Sequence, residues 1–129
     1  MNACRMLPIL VLLLASAGCA LVTRLPAEPG ARTAEGDEIV ETVQVMNSSW
    51  SLLCLLPIAS GDVDSPDCVS CLPFRDSVNL GNQVKMIAAE AERCGASRAA
   101  HVVTYEDDED VFLFLLLRRK IHTSAVLVR

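Results

Sequence analysis

Apolar positions recur along this chain at two different periods, and the change from one to the other divides it into elements. Ile39 to Met46 alternates loosely between apolar and polar residues and is rich in valine, which predicts a half-exposed β-strand. Asn47, Ser48 and Ser49 carry turn chemistry and predict its end. Trp50 to Ile58 is nearly continuously apolar and is closed by Pro57 and the turn Ser60-Gly61-Asp62. Its short length and its proline favour a buried second strand over a helix. The period then changes: Leu80, Val84, Ile87, Ala88, Ala91 and Cys94 fall at spacings of three and four, with Lys85, Glu90, Glu92 and Arg93 on the outward side. Asn79 can cap the start of this helix and Gly95 its end. Ala99 to Tyr105 is β-prone and Glu106 to Asp110 reads as a charged turn. The unbroken apolar run Val111 to Leu117 leads into Arg118, Arg119 and Lys120, after which alternation resumes with Ile121, Thr123 and Ala125. The expected fold is α+β, a small antiparallel sheet of order β-β-α-β-β with one helix packed on one face.

Ahead of this domain stands a segment of a different kind. Met1 to Met6 carries Arg5, Leu7 to Leu14 is almost wholly apolar, and Ser16, Ala17 and Gly18 are small residues leading to Cys19. The apolar stretch is barely more than half of the ~20 residues a spanning helix needs, and Pro8 lies inside it. Ser16-Ala17-Gly18-Cys19 resembles the lipobox of bacterial lipoproteins, with serine where leucine is usual. The resemblance implies that residues 1–18 are a signal peptide and that Cys19 becomes a lipidated, palmitate-bearing N-terminus in the cell envelope. In lipoproteins of the common Gram-negative type, Ala20 rather than aspartate after the cysteine implies the outer membrane. Residues 19–37, with Pro26, Pro29, Gly30 and Gly36 among charged residues, read as a tether, and residues 38–129 as the folded domain.

Charge narrows the partners. The chain has 11 basic and 16 acidic residues, and removal of the leader with Arg5 lowers its net charge from −5 to −6. Such a surface repels nucleic acid. The expected partners are the membrane, through the lipid, and an envelope protein or a second copy, through Val111 to Leu117. Seven apolar residues in a row need cover on both strand faces; the helix can cover one, and the other falls to the tether or the Cys-rich loop within the chain, or to a second copy or an envelope partner.

Cys54, Cys68, Cys71 and Cys94 remain beyond the leader and Cys19, and in an oxidising envelope they are disulfide candidates, with bridges expected from the Cys68/Cys71 loop to Cys54 and Cys94. Each bridge would contribute roughly 2 to 4 kcal/mol. The alternative treats Cys68-Val69-Ser70-Cys71 as a thiol-redox or metal-handling pair, zinc recruiting two further ligands from Cys54, Cys94, His101 or His122. His101 and His122 fall on opposite strands of the expected hairpin, where they can approach each other. Glu106 to Asp110 offers oxygen ligands but neither the spacing nor the glycine of a calcium loop. No nucleophile elbow, phosphate loop or spaced carboxylate pair organises the serines, histidines and aspartates, so no enzyme activity and no cofactor are expected.

Cys94-Gly95-Ala96, followed by Ala99-Ala100-His101-Val102-Val103 and a last strand ending Ser124-Ala125-Val126-Leu127-Val128, is similar to small envelope domains of the YbjQ type and to the sensor lipoproteins of the Rcs stress pathway. That resemblance, over residues 79–128, implies an envelope setting and a helix leading into a β-hairpin. This chain has Ser124-Ala125 where a Gly-Thr-Ala triplet is typical, and no site residue is carried over.

Overall fold

The computed structural model describes residues 20–53, 55–66, 71–112 and 115–129. Its strands are β1 (Ala20–Pro26), β2 (Ile39–Leu52), β3 (Leu56–Gly61), β4 (Cys71–Pro73), β5 (Arg98–Phe112) and β6 (Leu116–Val128), with one helix, α1 (Leu80–Cys94), among the described residues. All strand pairs are antiparallel, in the order β4-β3-β2-β6-β5, and β1 pairs with β2 beside that path. The α+β fold with a small antiparallel sheet and one helix is therefore as the apolar pattern predicts. β1 and the short β4 are additions.

α1 has its expected ends. Asn79 is extended and its side-chain oxygen accepts from the Asn82 N–H at 2.9 Å, a cap worth ~1 kcal/mol. Gly95 adopts the left-handed conformation, φ 69°, and the Ala96 N–H closes the helix onto the Ala91 carbonyl. The buried side differs from the sequence expectation. Gln83, Met86, Ile87 and Glu90 are buried, whereas Leu80 and Val84 are exposed. The helix is rotated because Glu90 is drawn onto Arg24 of β1, a strand that the apolar pattern did not predict.

β1 corrects the tether. Ala20 and Val22 are buried in the core with Val43, Val45, Met86, Ile87, Ala125 and Leu127. The prolines and glycines that suggest a flexible linker instead shape the connection from β1 to β2. Within it Arg32 pairs with Glu38 in an isolated antiparallel β-bridge, Thr33 and Asp37 form a turn, and Arg98 of β5 pairs with Glu35 and Asp37.

Two expected turns are also strands. β2 runs straight through Asn47-Ser48-Ser49, all buried. Asn47 Nδ2 donates to the carbonyl and hydroxyl of Ser77 at 2.9 and 3.0 Å, and the Ser77 hydroxyl donates to the Gly61 carbonyl at 2.6 Å. With a tertiary acceptor for its donor, Asn47 has no need of a turn. The run Glu106 to Asp110 lies within β5, and Asp107, Asp108 and Glu109 face Lys120, Arg119 and Arg118 of β6. Opposite charges across an antiparallel pair stabilise strands that acidic residues would otherwise disfavour. The β5–β6 turn falls instead on the apolar run, between Phe112 and Leu116.

Candidate functional site

β1 and β3 occupy successive stretches of the same β2 edge. β1 pairs with Glu41 to Asn47 and β3 with Ser49 to Leu52. The first described residue, Ala20, is thus already in register with Asn47, and it is 3% exposed. Cys19, the expected lipid carrier, lies outside the described residues, but the residue after it belongs to the sheet.

Arg24 continues β1 toward α1. Its Nε and Nη2 both donate to the Glu90 carboxylate at 2.8 Å, and Arg93 Nε donates to the same carboxylate at 2.7 Å while its Nη2 reaches Glu41 of β2. The Glu90 side chain is only 7% exposed. Arg24's hydrogen bonds hold the Glu90 carboxyl below its ordinary range, against the opposing pull of burial, with Arg93 adding in the same direction. This network ties the N-terminal strand to the helix.

The β2–β3 and β5–β6 turns meet at one end of the sheet, where the Leu53 N–H donates to the Leu115 carbonyl at 2.9 Å. Leu52, Leu53, Leu55, Leu56 and Leu115 are all exposed there, Leu55 by 81%. Phe74 follows β4 and is 82% exposed; its N–H donates to the Ile58 carbonyl, which places it just behind Leu56. Leu53 and Phe74 have φ of 52° and 55°, a left-handed conformation that disfavours residues with a side chain.

Behind the leucines, Trp50 is buried with the Arg118 guanidinium 5.7 Å from its ring centroid, a cation–π arrangement. Arg119 and Lys120 pair with Asp108 and Glu109 at 3.4 and 2.9 Å. A small recess of about 90 Å³ under Leu55 is lined by Ser49, Ser51, Pro57, Asp76, Leu117 and Arg119. Asp76 accepts the Val78 N–H at 3.0 Å, and Arg119 is directed to Asp108. Its charged groups are thus engaged in structure, and the recess can seat only a few atoms.

The other sequence candidates disperse. Cys54 and Cys68 lie outside the described residues, and of Cys71 the structure describes the backbone that opens β4. Cys94 is a free thiol at the helix end, its Sγ 3.6 Å from the Ala91 carbonyl. His101 sits in the β5 bulge between the Ala100–Val126 and Val103–Ser124 pairs, whereas His122 faces Tyr105. The two histidines therefore do not meet. His122 stacks on the Tyr105 ring, with centroids 4.6 Å apart, and burial pushes its pKa down, helped by Lys120 and opposed by Asp107.

Among the described residues, no group of three His, Cys, Asp or Glu is placed to hold a metal ion, and no helix is long and apolar enough to cross a membrane. The apolar strand expected over Val111 to Leu117 is replaced by the end of β5, the turn and the start of β6, with Leu113 and Phe114 outside the described residues. What sequence reasoning missed was the partner turn. Leu52-Leu53-Cys54-Leu55-Leu56 is too apolar to suggest one, and Phe74 carries no local signal at all. Comparison with protein-family models, with characterised proteins and with solved structures found no match for the chain.

Proposed function

We propose that this chain is a lipid-anchored protein of the bacterial envelope, held by acyl chains on Cys19, whose α+β domain serves a structural or protein-interaction role at the outer membrane rather than a catalytic one. The observation that carries this reading is the leader ending in Ser16-Ala17-Gly18-Cys19. The fold is compatible with it in a simple way: cleavage before Cys19 leaves every described element, β1 to β6 and α1, in the mature protein. Three acyl chains at roughly 0.8 kcal/mol per buried methylene anchor a protein far more firmly than one chain does.

The test is direct. Metabolic labelling with a palmitate analogue is expected to tag the wild-type protein, and Cys19→Ala is expected to abolish the tag entirely and leave a precursor heavier by the leader. A tag that persists in Cys19→Ala, or an untagged wild-type chain at full length, would reject the anchor.

A further inference from the structure

Six large apolar side chains, Leu52, Leu53, Leu55, Leu56, Phe74 and Leu115, are exposed together at one end of the sheet, and two of them stand on left-handed backbone. Each of those two positions costs about 1 to 2 kcal/mol relative to a glycine there. Exposure adds an unfavourable hydration term. Neither cost is offset by packing within the domain, so the patch is a surface for something else.

We propose that this double turn inserts into the outer layer of the bilayer that carries the lipid anchor, so that the domain is fixed at two points rather than swinging on a tether. This rests on the anchoring proposed above. Two features select a bilayer as the occupant. Ala20, next to the acylated cysteine, pairs with Asn47, five residues along β2 from Leu52 and hence about 17 Å from the tip. No flexible segment separates that point from the sheet, so the lipid brings the tip within reach of the membrane and the two contacts set the domain's tilt. Finally, Arg119 and Lys120 are neutralised by Asp108 and Glu109, so insertion is apolar and does not require anionic lipid.

The experiment uses the mature protein in phosphatidylcholine vesicles, as wild type and as Leu55→Trp, which puts an indole at the tip position that is 81% exposed while Trp50 stays buried. Brominated phosphatidylcholine is expected to quench the indole introduced by Leu55→Trp well beyond any quenching of the wild type, whose one tryptophan is buried. Leu53→Asp and Leu56→Asp added to Leu55→Trp are expected to reduce the inserted population roughly tenfold or more. Both positions are exposed, and aspartate accepts left-handed backbone better than leucine does, so the fold is retained, as circular dichroism will show. Leu55→Trp protein that floats with the vesicles yet is quenched no more than the wild type overturns the insertion while leaving the anchor intact. Unquenched protein that sediments as a dimer, and as a monomer when the two leucines are replaced, overturns it in favour of a second copy. A chain without acyl mass overturns the anchor, and quenching by added vesicles then decides the tip by itself.

Discussion

Glu90→Ala is expected to lower the unfolding free energy by about 3 kcal/mol at neutral pH, a fall in Tm of roughly 10 °C for a domain of this size. Glu90 lies under the sheet with 7% of its side chain exposed and accepts two hydrogen bonds from Arg24 and one from Arg93. Its loss leaves two guanidinium groups without their shared carboxylate. Arg24 is 34% exposed and can turn partly to water, which keeps the cost at the lower end of the range for breaking a buried pair. The pH dependence follows from the same contacts. The folded carboxyl ionises below the ordinary value of 4.5, so the unfolded chain binds the proton more readily. The stabilisation is therefore complete above about pH 4.5 and disappears as the pH falls through the folded value. Urea unfolding of the wild type and Glu90→Gln should differ most near neutrality and converge in acid. A neutral-pH loss under about 1 kcal/mol would reduce the network to an ordinary surface ion pair. Amide exchange gives a second readout, because β1 should lose protection before β2 and β6 once Arg24 is released.

Gln83→Met should act in the opposite direction. Gln83 is fully buried on α1, and neither atom of its side-chain amide has a hydrogen-bond partner among the described residues. Burying an amide uncompensated costs ~1 to 3 kcal/mol, and methionine keeps the unbranched length without the polar atoms. The variant is expected to gain about 2 kcal/mol, seen as a Tm rise of several degrees with an unchanged urea m-value. A fall in Tm would show that the amide contributes favourably to packing. Gln83 and Glu90 are two helical turns apart on the same buried side, so the two variants separate a polar group that is satisfied from one that is not.

The candidate site was half legible in the chain. Val111 to Leu117 is conspicuous because no single helix can cover seven apolar residues on two strand faces, and Leu115 does end at the exposed tip. The pairing that brings Leu53 and Phe74 beside it spans distant parts of the chain and leaves no periodic trace. The short apolar run around Leu53 looks like a strand interior because local composition registers burial propensity and not whether a residue ends up at a turn.

By itself the sequence determined those features that depend on neighbours along the chain: the helix between Asn79 and Gly95 and the strand-forming character of residues 39–46 and 121–128. Tertiary structure decided where the polar residues go. Asn47 remains in a strand because Ser77 accepts its amide hydrogens, Glu106 to Asp110 because Asp107, Asp108 and Glu109 find Arg118, Arg119 and Lys120 opposite, and Glu90 turns inward because Arg24 reaches it from β1. In each case a group that would seek water in the unfolded chain is satisfied by a partner at least eight residues away, and sequence periodicity carries no information about that partner.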